Sequence, residues 1–205
     1  MLPDDRRLQA ANPTGWFEDL YAEAEAGTAS VPWDIPHPQP HLVTWAEGVD
    51  GTGQRALVVG CGYGRDSEFL ASLGFEVTAF DISPTAVAAV QARYPESSVS
   101  YVVADLLNPP AEWHHAFDLV VENMTVQALP VDAHAQATER VAWLTGSKLL
   151  VLAVAREEDS VADGPPWPLT PSEILAFQTD GLTALKVNRD GARWTAEFVR
   201  QLAMN

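Results

Sequence analysis

The stretch Ala56-Leu57-Val58-Val59-Gly60-Cys61-Gly62-Tyr63-Gly64 decides the fold of this chain. Its four apolar residues predict a buried strand, and its three glycines predict a tight turn whose backbone can approach a ligand closely. Residues 66–73 have a helical pattern that Gly74 ends, and residues 77–80 predict a second strand that finishes at Asp81. Together these segments form one βαβ unit, in which Asp81 is placed to bind the two ribose hydroxyls of a nucleoside-containing cofactor.

The remainder of the chain continues the alternation of strands and helices. Ser83 and Pro84 predict the start of a helix that Pro95 stops. Further helices are predicted near residues 132–144 and 172–177. Further strands are predicted at residues 99–103, 117–121, 148–154, 182–187 and 194–199, with a hairpin turn at residues 188–191. We therefore expect a single domain over residues 1–205, in which residues 1–50 form a helical and loop-rich region ahead of the sheet.

The glycine spacing favours one class of cofactor. Folds that bind a dinucleotide pyrophosphate prefer Gly-x-Gly-x-x-Gly, whereas Arg65 stands here where the third glycine would fall. The Gly-x-Gly-x-Gly turn resembles the S-adenosylmethionine (SAM) loop of class I methyltransferases, which disfavours a nicotinamide dehydrogenase. The resemblance implies an α/β, Rossmann-like sheet of seven mostly parallel strands, with helices on both faces and a C-terminal antiparallel hairpin.

The same resemblance implies SAM as the cofactor and S-adenosylhomocysteine (SAH) as its product. In that family the start of the helix faces the methionine carboxylate. An acidic residue at the position of Asp105 accepts from the adenine amino group, and the next backbone amide, that of Leu106, reaches a ring nitrogen. Asp66 is either an acidic residue that the helix dipole favours at the start of the helix or a contact of the cofactor ammonium group. The cofactor-binding residues implied are Gly60, Cys61, Gly62, Gly64, Asp66, Asp81, Ile82, Asp105, Leu106 and Trp33.

Two further segments resemble the thiopurine, thiol and halide methyltransferase superfamily. One is an aromatic helix at residues 16–21 followed by Pro-Trp-Asp at residues 32–34, and the other is a loop at residues 164–170 that the family places over its substrate pocket. The resemblance implies that Trp33 borders both cofactor and substrate. We expect residues 1–50 to cover the active site, and Trp33 and Trp167 to approach each other across its mouth. The chain departs from the thiol and halide enzymes at residues 122–130, where an Asp-Tyr-Thr-like start is more usual.

The candidate catalytic residues are Trp33, Glu122 and Asn123. Glu122 and Asn123 end the predicted fourth strand, where ligands meet sheets of this kind, although a strand-end cap would use the same residues. A thiolate needs no strong general base, and no Lys or His occupies the motif positions. That absence favours a soft sulfur, selenium or halide nucleophile over a phenol. Substrate contacts are expected from Tyr63, Asn123 and Trp167.

Composition and charge restrict the partners of the protein. The chain has 205 residues and a formal net charge of −16, which argues against nucleic acid and anionic membrane surfaces. Its single cysteine, Cys61, excludes an intrachain disulfide, and residues 1–7 contain no signal peptide, so we expect a cytoplasmic protein. His37 and His41 are too dispersed to form a metal site but could line the pocket. We expect a small-molecule substrate and no metal, with the oligomeric state open and a monomer favoured.

Three functional hypotheses remain open at this point. The first is methyl transfer from SAM to sulfur, or to a related soft nucleophile, of a small molecule. The second is methyl transfer to oxygen or nitrogen of another metabolite. The third is a catalytically silent SAM-binding module that senses the cofactor or regulates a partner, and the intact segments around Trp33 and Trp167 argue against it.

Overall fold

The computed structural model describes residues 14–161 and 164–201, and within them a sheet of seven strands has the order β3-β2-β1-β4-β5-β7-β6. Its strands are β1 (Arg55–Val59), β2 (Glu76–Asp81), β3 (Ser100–Val103), β4 (Phe117–Asn123), β5 (Thr145–Val154), β6 (Leu182–Asp190) and β7 (Arg193–Arg200). β1 to β5 are parallel, and β7 lies antiparallel between β5 and β6. The predicted fold class is confirmed.

Six α-helices accompany the sheet in this part of the chain. They are α1 (Gly15–Glu25), α2 (Pro40–Trp45), α3 (Arg65–Ser72), α4 (Pro84–Arg93), α5 (Val131–Leu144) and α6 (Pro171–Leu175). Local capping starts two of them: Ser83 Oγ accepts from Ala86 N at 3.0 Å before α4, and Thr170 forms a capping box with Glu173 at α6. None of the described helices is long and apolar enough to cross a membrane.

The strand that precedes the glycine turn is buried on both faces. Leu57 and Val59 belong to one apolar cluster, whereas Ala56 and Val58 belong to another on the opposite side of the sheet. Side chains alternate across a strand, so an uninterrupted apolar run suits a parallel strand that helices cover on both sides. This burial fixes where β1 ends and therefore where the glycine turn begins.

The observed boundaries differ from the predicted ones in the C-terminal half. β5 begins at Thr145, before the apolar run at residues 149–153, because Thr145 pairs with Phe117 across a bulge. β6 continues to Asp190, so the hairpin turn is the pair Gly191 and Ala192 instead of residues 188–191. Gly191 has a φ of 53°, which is the conformation that a two-residue hairpin turn requires. The predictions for residues 1–13 lie outside the described residues.

Candidate active site

The carboxyl ends of β1 to β4 open onto a cavity of about 540 Å³. Ligands bind at this edge of parallel α/β sheets because the loops and helix N-termini converge there. Besides those loops, the amino-terminal segment, two prolines of the 164–170 loop and the first residue of β7 line the cavity. Among the predicted site residues, those that line it are Trp33, Gly60, Cys61, Gly62, Tyr63, Gly64, Asp66, Asp81, Ile82, Asp105, Leu106 and Asn123.

The glycine turn adopts a backbone that other residues rarely take. Gly60, Gly62 and Gly64 have φ values of 62°, 50° and 80°. A Cβ at Gly62 would lie 2.9 Å from the hydroxyl of Tyr21, and one at Gly60 would contact the Thr125 side chain. The three positions therefore need glycine both for conformation and for space, and the turn holds its backbone against the cavity.

The carboxylate of Asp81 is buried at the end of β2 and anchors the glycine turn. Its Oδ2 accepts from Gly62 N at 2.9 Å, and its Oδ1 accepts from Ser83 N at 3.0 Å. Burial raises the pKa of Asp81, although these amides favour the charged form. Glu18 of α1 packs beside it, where its carboxylate accepts from the hydroxyls of Ser83 and Thr85 at 2.5 Å each. The amino-terminal helix is thus tied to the start of α4.

A chain of polar contacts links the amino-terminal segment to β4 through Asp66. Its Oδ1 accepts from Gln39 N at 2.8 Å, and its Oδ2 accepts from Asn123 Nδ2 at 2.7 Å. Burial raises the pKa of Asp66. Asn123 Oδ1 is buried without a hydrogen-bond partner, so it is an acceptor available at the cavity wall. After β3, Asp105 Oδ1 accepts from Leu107 N at 2.9 Å and fixes that loop.

An aromatic wall closes the side of the cavity nearest the amino-terminal segment. Trp33 Nε1 donates to Tyr21 Oη at 2.9 Å, and the Trp33 ring lies edge-on to Trp16, Phe17 and Tyr21. Tyr21 is buried, which raises its pKa and keeps its phenol neutral, while Trp33 stays 39% exposed. The predicted motif at residues 16–21 contains Tyr21, but nothing local to the motif indicates that its hydroxyl holds the indole of Trp33.

Three other predicted residues have contacts away from the centre of the cavity. Tyr63 lines the cavity, but its hydroxyl donates to Glu25 Oε1 at 2.7 Å and the Arg93 guanidinium covers its ring at 4.3 Å. Glu122 is fully buried and Oε1 accepts from the backbone of residues 125 and 126 at 2.7 and 2.9 Å. Trp167 folds back towards Gly164, where a Cβ would lie 2.6 Å from its indole ring.

Pro165, Pro166 and Arg193 are among the lining residues that the sequence analysis did not predict. From the 164–170 loop, Pro165 and Pro166 line the cavity beside the predicted Trp33. Arg193, the first residue of β7, also lines it. A signal for Arg193 exists in retrospect, because it follows the hairpin turn and so stands at the edge where β5 ends.

Comparison with known proteins assigns the fold and the site to a family. The chain is 30% identical over 171 residues to a probable thiol methyltransferase from Arabidopsis thaliana, and the match covers 82% of this chain and 73% of that protein. The chain belongs to the class I SAM-dependent methyltransferases. The methyltransferase domain family matches residues 56–146 of this methyltransferase, which include the glycine turn, Asp81 and Asp105.

Other similarities support the same assignment for this methyltransferase. It is 34% identical over 117 residues to a ubiquinone biosynthesis O-methyltransferase from Xanthomonas oryzae, a match that covers 52% of this chain and about half, 49%, of that protein. It shares its fold with magnesium protoporphyrin IX methyltransferase from Synechocystis PCC 6803, solved with bound SAM. That superposition has a TM-score of 0.69 at 19% identity and covers 94% of this chain and 99% of the other. The cofactor of this methyltransferase is SAM.

Proposed function

We propose that this methyltransferase transfers the methyl group of SAM to the sulfur of a small thiol, or to a related soft nucleophile. The observation that carries the proposal is the chemistry of one part of the cavity wall, which we call the acceptor half. It comprises the lining residues from the end of β4 onwards, which are Asn123, Met124, Thr125, Gln127, Ala128, Leu129, Pro165, Pro166 and Arg193. The lining residues that precede β4 form the cofactor half.

The cofactor half fits SAM. Two of its carboxylates suit the nucleoside: Asp81, which ends β2, suits the ribose, and Asp105, which follows β3, suits the adenine. The carboxylate of Asp66 and the unpartnered oxygen of Asn123, where the two halves meet, are acceptors suited to an ammonium group beside the glycine turn. Trp33 presents an aromatic face, which attracts a sulfonium by about 0.5–2 kcal/mol. SAM supplies an activated methyl group, and the protein supplies alignment and exclusion of water.

The acceptor half contains no general base among its described residues. Amide, hydroxyl, thioether and aliphatic side chains make up the set, together with the permanently charged guanidinium of Arg193. A thiol has a pKa of about 8.5 and forms thiolate near neutral pH unaided, whereas a phenol at about 10 ionises much less. An acceptor half of this composition therefore suits a nucleophile that needs no proton acceptor from the protein.

The apolar side chains of the cavity wall orient the acceptor and exclude water from it. Pro165 and Pro166 are conformationally rigid, and Met124 and Leu129 are apolar, so they exclude water from the acceptor. Trp33, held by Tyr21, bounds the same space from the amino-terminal side. The similarity to a probable thiol methyltransferase over 82% of this chain supports a sulfur acceptor.

A second candidate, methyl transfer to oxygen, has one observation in its favour. His37 lines the cavity, and its Nδ1 lies 2.9 Å from the carbonyl oxygen of Pro38. A carbonyl only accepts, so Nδ1 carries the hydrogen and the lone pair of a neutral ring lies on Nε2. Such a nitrogen suits the role of a base towards a hydroxyl.

Matched acceptors separate the two candidates. SAH formation is measured with thiophenol and with phenol, each of which has a single nucleophilic atom, for the wild type and for His37→Gln. Sulfur methylation predicts turnover of thiophenol by both proteins. Turnover of phenol alone, abolished by His37→Gln, would instead establish oxygen methylation.

A further inference from the structure

Arg193 stands out among the residues of the acceptor half. It is the first residue of β7, and backbone pairing with Val154 of β5 fixes its position at the edge of the sheet. Its guanidinium Nη1 donates to the Met124 sulfur at 3.7 Å, a weak acceptor. Among the described residues no carboxylate lies within ion-pair distance of it.

The three other arginines that follow β5 have carboxylate partners. Arg156 lies 3.1 Å from a Glu173 oxygen, Arg189 lies 2.6 Å from Glu157, and Arg200 lies 3.2 Å from Asp180. The chain has 28 acidic residues for 12 basic ones, so carboxylates to pair with a cation are abundant. A guanidinium that faces a cavity without one is therefore a specific feature of this wall.

The charges of the cavity wall are separated between its two halves. The cofactor half holds the carboxylates of Asp34, Asp66, Asp81 and Asp105, and Arg65, its one arginine in the part of the chain that the structure describes, lies 3.7 Å from Asp34. In the acceptor half, Arg193 is the one ionised side chain among the described residues. A guanidinium stays protonated at all ordinary pH and presents a planar fork of donors, which matches a carboxylate in two-point contact.

We propose that Arg193 binds a carboxylate of the methyl acceptor, so that the substrate class is a small thiol acid. That the acceptor atom is sulfur rests on the proposed function, whereas the presence of a carboxylate in the substrate is inferred from Arg193 alone. β4 and β5 separate β7 from β1, which puts the start of β7 roughly 14 Å across the sheet from the glycine turn. The guanidinium reaches back to Met124, which directly follows β4 and lines the cavity.

Two acceptors that differ in one charged group test the inference. SAH formation is measured with mercaptoacetate and with mercaptoethanol for the wild type, Arg193→Gln and Arg189→Gln. Arg189→Gln is the matched control, because it removes a guanidinium from the same hairpin that is paired with Glu157. Glycolate, the oxygen counterpart of mercaptoacetate, is included as a further acceptor, and SAM affinity of each variant is measured by calorimetric titration.

We expect the wild type to prefer mercaptoacetate in kcat/KM by roughly 10- to 100-fold, the range of a charge-assisted hydrogen bond. Arg193→Gln should abolish this preference, mainly by raising KM for mercaptoacetate. Arg189→Gln should keep the preference of the wild type, and both variants should bind SAM with close to wild-type affinity. A wild type without preference for the acid overturns the inference and leaves thiol methylation standing. Turnover of glycolate but of no thiol, again dependent on Arg193, refutes the sulfur acceptor and supports the carboxylate. A loss of SAM affinity in Arg193→Gln with the preference intact assigns the guanidinium to the cofactor and overturns the inference.

Discussion

Replacement of Glu122 by glutamine should remove a large part of the pH dependence of the stability of this protein. The side chain is fully buried beneath the loop that follows β4, and burial raises its pKa from 4.5 to about 7. Its Oε1 accepts from the amides of Thr125 and Val126, while its Oε2 is buried without a partner. A glutamine keeps the accepting oxygen and has almost the same shape, so Glu122→Gln removes the charge alone.

The sign follows from proton linkage. Because the folded state binds this proton more tightly than the unfolded chain does, the contribution of Glu122 to stability is complete below pH 4.5 and is lost as the pH rises through about 7. One pH unit of separation corresponds to about 1.4 kcal/mol, so the wild type loses roughly 2–3 kcal/mol between about pH 5 and about pH 8 from this group. Glu122→Gln does not lose it, and its stability relative to the wild type therefore rises with pH.

Urea denaturation of the wild type and of Glu122→Gln at the two pH values measures this difference. The comparison of the two proteins cancels the titration of every other group. Glu96→Gln is the control, because Glu96 is exposed and the substitution removes the same charge without burial. If the stability difference between Glu122→Gln and the wild type is the same at both pH values, Glu122 is not a protonated buried acid and the reasoning fails.

Three shorter predictions concern the cofactor half. Gly62→Ala should weaken SAM binding at least about 10-fold in calorimetric titration, because it strains the backbone and also places a Cβ 2.9 Å from Tyr21 Oη. Gly53→Ala is the control: Gly53 has a φ of 75° with open space around it, so the substitution adds backbone strain alone and should leave SAM binding unchanged. Tyr21→Phe removes the hydrogen-bond acceptor of the Trp33 indole. It should lower kcat in steady-state kinetics while leaving the melting temperature close to that of the wild type. Asp81→Asn should lower the free energy of unfolding by about 1–3 kcal/mol and weaken SAM binding, because a carboxamide cannot accept from both the Gly62 and the Ser83 amide. NAD should bind neither the wild type nor Asp81→Asn in a titration that detects SAM binding to the wild type.

Local patterns were sufficient to predict the fold and the position of the glycine turn. The glycine turn, the apolar run before it and Asp81 are set by backbone conformation and burial within one βαβ unit, so neighbouring residues carry the information. The orientation of the side chains at the end of β4 was harder to predict, because adjacent residues of a strand face opposite sides of the sheet. Glu122 turns into the core whereas Asn123 lines the cavity, and the sequence alone does not distinguish the two.

The acceptor half depended on contacts between distant segments. Arg193 reaches the cavity because it directly follows the β6–β7 hairpin turn. The predicted turn was misplaced because β6 runs to Asp190, beyond the predicted strand end at residue 187. The indole of Trp167 was predicted to face Trp33, and its role there remains a prediction. In the structure it lies over Gly164, and the neighbouring prolines line the cavity. Which side chain of a proline-rich loop faces inward depends on the path of its backbone, which composition does not specify.

The cavity is assembled from a central block and from segments that flank it. Residues 56–146, which match the methyltransferase domain family, contain the glycine turn and both carboxylates suited to the nucleoside. The acceptor-half residues between Asn123 and Leu129 also lie in that block, whereas Trp33, Pro165 and Arg193 lie outside it. If Arg193 binds the acceptor as proposed, substitutions in the flanks change the acceptor while the methyl donor stays the same. Relatives that share the central block should diverge in acceptor range first, and exchange of residues 164–193 between them offers a direct route to chimeric enzymes.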